Sequence, residues 1–97
     1  MKVVWSERAI DRAEEEAVFI AQDKPRAALR WLEGLFAVTD RLETFPESGV
    51  VVPEIGLANY RQLVYRTHRV VYRIDRGSVA ILTVQRFKQP LRISELD

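Results

Sequence analysis

Three strand-type segments lie close together in the second half of the chain, and their spacing is the strongest constraint on the fold. They span Arg61 to Tyr65, Arg69 to Ile74 and Val79 to Gln85, and they are rich in β-branched and aromatic residues. The links at 66–67 and 75–78 are too short for a crossover connection, so consecutive segments are expected to pair antiparallel. The sequence therefore predicts a small, twisted antiparallel sheet.

The residues before this sheet predict one more strand and a helical hairpin. Lys2 to Trp5 is a short β-branched and aromatic run, and Ser6 follows it as a helix N-cap. Apolar residues recur at helical spacing to about Gln22, and again from Pro25 to about Thr44. The order β-α-α-β-β-β predicts a single α+β domain over residues 1–97, with the helical hairpin packed on one face of the antiparallel sheet.

Two further expectations concern the second helix and the connector after it. Trp31 and Phe36 lie on the apolar stripe of that helix and are expected in the core. The connector from Val50 to Ala58 contains Pro53 and Gly56, which interrupt it too often for a regular strand.

Composition limits the possible chemistry. The chain has no cysteine, which excludes disulfide bonds and thiolate chemistry, and no apolar run approaches the roughly 20 residues that span a bilayer. The acidic run Glu14 to Glu16 is interpreted as a solvated helix face rather than a metal site, because neighbouring helical residues point in different directions. We therefore expect a cytoplasmic protein with no membrane association, no metal and no cofactor.

Charge is distributed unevenly between the two halves of the chain. Residues 1–56 carry seven basic and eleven acidic residues, 7 − 11 = −4, and residues 57–97 carry eight and three, 8 − 3 = +5. In the middle strand, apolar Val70, Tyr72 and Ile74 alternate with Arg69, Val71 and Arg73. The alternation predicts one apolar and one basic face. Such a basic face favours an anionic partner.

Six local strings, in this order and spacing, resemble the RelE/ParE toxins of type II toxin–antitoxin systems. They are DKPRAA at 23–28, LETFPESG at 42–49, VPE at 52–54, YRQL at 60–63, RVVYRI at 69–74 and VAILTV at 79–84. The chain looks more similar to the ParE branch, which includes plasmid stabilisation proteins. The resemblance implies a RelE/ParE-like fold and a growth-inhibiting toxin that a cognate antitoxin neutralises in a toxin–antitoxin hetero-oligomer. The implied target is DNA gyrase in the ParE branch, and mRNA on the ribosome, cleaved without a metal, in the RelE branch.

The residues can be tested for metal-free RNA cleavage, which needs groups that transfer protons and groups that stabilise the phosphorane. Arginines can supply the second, and a nuclease here would use Arg61, Arg69, Arg86 and Lys88, with His68 as the one histidine. His68 follows a hairpin turn, where an exposed strand-start residue is the commoner arrangement.

The string Arg86-Phe87-Lys88 replaces what resembles His-Gly-Arg in many ParE-like chains. Segment 49–58 has no Lys, Arg or His, and no Tyr or His follows Lys88.

Three functional hypotheses follow. The first is a toxin that acts on DNA gyrase without an acid–base pair, the second a ribosome-dependent endoribonuclease, and the third a non-toxic binding module that retains the antitoxin interface. No catalytic residue is assigned under the first hypothesis. The residues expected to bind the target or the antitoxin are Arg61, Arg69, Arg73, Arg86, Phe87 and Lys88.

Overall fold

The computed structural model describes residues 1–96 as two helices packed against one five-stranded mixed sheet. The strands are β1 Lys2–Trp5, β2 Val50–Val51, β3 Tyr60–Tyr65, β4 His68–Asp75 and β5 Ser78–Arg86, and the helices are α1 Glu7–Ala21 and α2 Pro25–Asp40. Two short 3₁₀ turns follow α2 and β5, at Arg41–Glu43 and Ile93–Leu96. The α+β class and the helical hairpin on one face of the sheet are confirmed.

The sheet has the order β1-β5-β4-β3-β2. The predicted antiparallel pairing of β3, β4 and β5 is confirmed. The sheet is not antiparallel throughout, because β1 pairs parallel with β5 from Lys2↔Ser78 to Trp5↔Ile81. The connector also contains the two-residue strand β2, which pairs with β3 and ends just before Pro53. A proline cannot donate to the ladder, which fits the short length of this edge strand.

The helix boundaries follow local sequence signals. Ser6 caps α1, its Oγ accepting from the backbone N–H of Ala9 at 3.0 Å, and Pro25 begins α2. α2 ends at Asp40, a few residues before the predicted end at about Thr44. A 3₁₀ turn over Arg41–Glu43 follows it directly. Phe36 is 44% exposed and packs edge-on against Trp5, so its predicted core position is wrong, whereas Trp31 is buried as expected.

The main core lies between the helices and the sheet, on what we call the helix face. Its buried members are Ala9, Ala13, Trp31, Leu35, Leu42, Tyr65, Val70, Tyr72, Val79, Ile81 and Val84. Small alanines let α1 approach the strands closely. The Tyr65 hydroxyl donates to the Trp31 carbonyl at 2.8 Å, and a Cβ at Gly34 would collide with that hydroxyl. Gly34 therefore sets how closely α2 approaches the sheet.

The opposite side of the sheet, the outer face, carries a second and smaller core. Val71 alternates with the helix-face residues of β4 and packs with Val52, Leu82 and Leu96. Ile55 and Leu91 pack against this group. Segments 52–55 and 91–96 therefore cover part of the face that the sequence predicted to be open and basic.

Candidate functional site on the arginine-bearing strands

The outer face is organised around Arg69, which is only 4% exposed. Its guanidinium donates to both carboxylate oxygens of Glu54, at 2.7 and 3.2 Å, and to Gln62 Oε1 at 2.9 Å. The hydrogen bond from Arg69 is the main reason that the pKa of Glu54 lies below its usual value. The Phe87 ring lies 5.8 Å from the guanidinium. A buried arginine is tolerated here because a carboxylate and an aromatic ring face it.

Arg61 and Tyr72 hold the loop that precedes β2. Arg61 donates to the carbonyls of Ala58 at 2.9 Å and Gly49 at 3.0 Å. The Tyr72 hydroxyl donates to Pro46 O at 2.7 Å and accepts from Gly49 N at 3.0 Å, and burial raises the pKa of this tyrosine. Arg61 was predicted to bind the target or the antitoxin. Its guanidinium donors already bind backbone carbonyls of its own chain.

Arg73 forms an ion pair with Asp75 on the same strand, β4. It donates to both oxygens of Asp75, at 2.7 and 3.0 Å. This pairing raises the pKa of Arg73 and lowers the pKa of Asp75. This bidentate contact occupies the two guanidinium N–H donors with which Arg73 could bind a phosphate.

His68 lies on the helix face, and its expected exposure is wrong. It is 4% exposed, with its ring 5.2 Å from that of Trp31 and its Nε2 3.3 Å from Glu16 Oε1. The approach to Glu16 is close enough for an ion pair but poorly aligned for a hydrogen bond, so Nε2 has no hydrogen-bond partner within residues 1–96. The reason for the burial is the register, because His68 pairs with Arg86 beneath the helices.

Glu16 connects this group to the surface. Its Oε1 also lies 3.3 Å from Arg86, whose guanidinium stacks over the exposed Phe19 ring at 5.1 Å. Glu16 was assigned to a solvated helix face, and the structure corrects that assignment for this residue. Glu14 and Glu15 are exposed as expected.

The candidate nuclease residues do not converge. Directly opposed residues of an antiparallel pair point to the same side, so His68 and Arg86 share the helix face, while Arg69 points to the outer face. Lys88 is exposed beyond the end of β5. Sequence reasoning missed Glu54, Gln62 and Glu16, the residues that neutralise or orient these groups. Glu54 stood in one of the family-like strings, but its spacing from Arg69 gave no indication of their contact.

Residues 1–96 contain neither a metal-binding cluster nor a membrane-spanning helix. Over that range, His, Asp and Glu side chains form no group of three or more that could hold a metal ion. Neither α1 nor α2 is long and apolar enough to cross a membrane.

Solved structures share this architecture. A chain described as the chromosomal ParDE TA system from P. aeruginosa superposes with a TM-score of 0.76 at 17% identity, over 89% of this chain and 95% of that one. A YoeB/ParE toxin from Agrobacterium tumefaciens gives 0.62 at 18% identity, over 89% and 98%. The YoeB dimer from Staphylococcus aureus gives 0.58 at 13%, over 88% and 94%. At these identities the likeness shows the fold, that of ParE- and YoeB-type toxins.

The sequence itself identifies the family. Residues 3–89 match the family described as the ParE toxin of the type II toxin–antitoxin system parDE. The chain therefore belongs to the ParE toxin family. A search of curated proteins gave no match.

Proposed function

We propose that the chain is a cytoplasmic, non-nucleolytic toxin that acts on DNA gyrase and is neutralised by a cognate antitoxin. One observation carries the choice of target: the groups that a nuclease would need lie on two faces of the sheet and are held by the chain's own carboxylates and carbonyls. Arg69 is bound by Glu54, and Arg86 lies beside Glu16. A toxin that inhibits by binding needs neither proton transfer nor a phosphate pocket.

The Arg69 guanidinium is already occupied by a carboxylate. A phosphate could reach this guanidinium only by displacing Glu54 from a pair in which the arginine side chain is almost fully buried. Because Glu54 is 37% exposed, removing it should cost about 2 kcal/mol, between the values for exposed and buried pairs. Arg61 and Arg73 are likewise held by the loop at 46–49 and by Asp75. We assign Arg69 and Arg73 the role of shaping the outer face for target and antitoxin, and Arg61 the role of holding the loop at 46–49.

The surface offered to the target is the end of β5. Arg86, Phe87 and Lys88 follow one another there, and Phe87 is 48% exposed. An exposed aromatic ring between two cations is a composition typical of interface hot spots. Because Arg86 and Phe87 lie on opposite faces, the segment can contact a partner that surrounds this end of the sheet.

The antitoxin has a further surface available on the helices. Ile10 and Val18 of α1 and Leu29 and Phe36 of α2 are exposed apolar residues, with Leu29 61% exposed. An amphipathic segment of an antitoxin would bury such residues. The proposed complex is a toxin–antitoxin hetero-oligomer.

The test measures both targets in parallel. Purified toxin is added to gyrase supercoiling reactions and to ribosomes translating a defined mRNA. We expect loss of supercoiling with the mRNA intact, and a weaker effect from the double variant Phe87→Ala, Lys88→Glu. Arg76→Glu is the matched control, because Arg76 is exposed in the β4–β5 turn away from this segment. Unchanged supercoiling together with cleaved mRNA would show that the gyrase assignment is wrong.

The ribosome-dependent endoribonuclease is the second candidate, because an opened Arg69–Glu54 pair would leave a carboxylate and an arginine side by side. Glu54, like an ordinary glutamate, is ionised at neutral pH, and Arg69 beside it could contact a phosphate if segment 52–55 moved. In that case Glu54→Gln would abolish mRNA cleavage while leaving the fold intact. Normal growth after strong expression of the toxin alone would instead support a binding module without toxicity.

A further inference from the structure

The two hairpin loops of the sheet place the left-handed backbone conformation on different kinds of residue. In the β4–β5 loop, residues 76–77, it falls on Gly77, at φ +78°. In the β3–β4 loop, residues 66–67, it falls on Arg66, at φ +54°, and Arg66 is the one non-glycine residue with a positive φ over residues 1–96. Such positions usually carry glycine, asparagine or aspartate, because a long side chain strains this conformation. The β3–β4 loop therefore has an arginine where the backbone favours a smaller residue.

The contacts of Arg66 within the chain do not explain this choice. The residue is exposed, and its guanidinium carbon lies 5.4 Å from the centre of the Tyr65 ring. It forms no ion pair with any residue from 1 to 96. An exposed cation–π contact is weak, whereas strained backbone is typically retained at positions that contact a ligand or partner. Arg66 is therefore a candidate contact residue for an anion.

Lys88 lies beside the same loop. Phe87 N donates to Thr67 O at 2.9 Å, so the chain that leaves β5 runs alongside the β3–β4 loop. Lys88 follows directly and is exposed. Two cations from different hairpins therefore lie at one end of the sheet.

The start of α2 adds cations at this end. The Tyr65 hydroxyl, from the residue before Arg66, donates to Trp31 O at 2.8 Å. Arg30 precedes Trp31, Arg26 lies about one helical turn earlier, and both are exposed. We call the following five residues the cationic end: Lys24, Arg26, Arg30, Arg66 and Lys88.

The cationic end has an excess of positive charge. Among the described residues, none of its five members has an ion-pair partner. Of the acids near it, Glu16 lies beside Arg86, which leaves exposed Asp23 and Glu33. The balance is 5 − 2 = +3, on a chain whose total charge is +1. A local field of this sign attracts an anionic partner.

The arrangement fits an extended polyanion better than a small anion or a single strand. The five cations come from three separate segments, and none of them lines the cleft of about 460 Å³ between α1 and the end of β5. The exposed rings nearby, Phe19 and Phe87, have arginines over them at 5.1 and 5.8 Å, which leaves less aromatic surface for stacking bases. Duplex DNA instead offers regularly spaced phosphates on an exposed surface.

We propose that the cationic end binds the phosphates of duplex DNA, with Arg66 as a direct contact. The toxin then touches the DNA segment that gyrase holds as well as the enzyme, and this attribution rests on the proposed function. Each phosphate contact releases condensed counterions, so the logarithm of the binding constant falls with the logarithm of salt concentration by about 0.9 per contact.

The first experiment measures DNA binding without gyrase. The anisotropy of a labelled duplex of roughly 20 base pairs is followed at about 25 to 200 mM sodium chloride. Arg66→Asn should weaken binding about fivefold and reduce the salt slope by about 1. The matched control is Arg76→Asn, in the first position of the other two-residue loop, and should change binding by less than about twofold. No binding at the lowest salt, or equal losses in the two variants, would overturn the proposal.

Stability separates a contact residue from a structural one. Asparagine adopts the left-handed region readily, so the Tm of Arg66→Asn should not fall below that of the wild type. Arg66→Lys keeps the charge and should bind the duplex within about twofold of the wild type. A lower Tm for Arg66→Asn, together with lost binding in Arg66→Lys, would make Arg66 a structural residue and overturn its role as a contact.

The identity of the polyanion is tested by competition. We expect the duplex to be displaced at least about threefold more weakly by single-stranded RNA of the same length, and more weakly still by polyglutamate. Equal competition by RNA would overturn the choice of duplex DNA, and equal competition by polyglutamate would overturn the choice of phosphate. DNA binding with unaffected supercoiling would refute gyrase as the target and leave the DNA site standing, whereas inhibited supercoiling without DNA binding would do the reverse.

Discussion

The two faces of the sheet are covered in different ways. The helix face is sealed by two long helices whose buried contacts are almost entirely apolar, with Leu35 and Ile81 completely inaccessible. The outer face is covered by segments 52–55 and 91–96, which contribute a few aliphatic side chains and the carboxylates of Glu54 and Glu95.

This difference separates folding from recognition. Apolar burial on the helix face supplies stability that involves no titratable group, at about 25 cal/mol per Å². The outer face relies partly on ion pairs and short segments, and such regions open at lower free-energy cost. A partner can therefore rearrange the outer face without unfolding the domain.

The largest expected effect is a cavity in the helix-face core. Leu35→Ala removes a completely buried side chain and should lower the unfolding free energy by about 3 kcal/mol. Leu29→Ala, on the exposed side of the same helix, should change it by less than about 0.5 kcal/mol. Urea unfolding of both variants provides the measurement. Similar losses would mean that the helix face is not the main source of stability.

Removing the partner of the buried arginine should have the next largest effect. Glu54→Ala leaves Arg69 without its carboxylate and is expected to cost about 2 kcal/mol, between the values for exposed and buried pairs. Arg69→Glu would bring two carboxylates together, so it tests folding rather than partner binding. Glu33→Ala, at an exposed position of α2, is the control and should be neutral. A neutral Glu54→Ala would contradict the role assigned to this pair.

A smaller effect is expected when one hydroxyl is removed. Tyr72→Phe leaves Pro46 O and Gly49 N without their partner and should cost about 1.5 kcal/mol. Hydrogen exchange at the Gly49 amide should accelerate in this variant. Tyr65→Phe removes a comparable hydroxyl from the helix face and should leave exchange at Gly49 unchanged. Slow exchange at Gly49 in Tyr72→Phe would show that Arg61 alone fixes the loop.

The smallest effect concerns pH and the C-terminal 3₁₀ turn. Arg12 and Arg8 lower the pKa of Glu95 from its ordinary value of 4.5, so the ionised form stabilises the folded state. This stabilisation is present above about pH 4.5 and is lost as the pH falls through the lower folded-state pKa. Glu95→Gln should reduce the unfolding free energy by less than about 1 kcal/mol at pH 7 and by a smaller amount at pH 3.

Unfolding of wild type and Glu95→Gln at both pH values checks this sign. Glu14→Gln is the control, because Glu14 is exposed on α1. A difference between wild type and Glu95→Gln that grows as the pH falls would contradict the role given to Arg12 and Arg8.

Most of the fold could be predicted from local signals, and most of the site geometry could not. Ser6 and Pro25 mark helix starts through chemistry within a few residues, and the short link at 66–67 permits only antiparallel pairing. The parallel β1–β5 pair depends on where two helices return the chain, which no local pattern encodes. The burial of His68 also depends on distant residues, because Trp31 and Glu16 of the helices lie against it. The pairing of Arg69 with Glu54 likewise joins residues from different segments of the chain. Alternation correctly predicted the face on which Arg69 lies, but not the segments that cover it.

The parallel pairing of the first and last strands also affects the order of assembly. Ser6 bonds to Leu82, 76 residues further along the chain. At a synthesis rate of about 5–20 residues per second, β1 waits about 4–15 s before β5 exists to receive it, and the helical hairpin waits about half as long. During that interval the helices have no complete sheet to cover, so the nascent chain cannot display the finished end of β5. The end of β5 is therefore completed only when the polypeptide is nearly finished, after both helices have been synthesised.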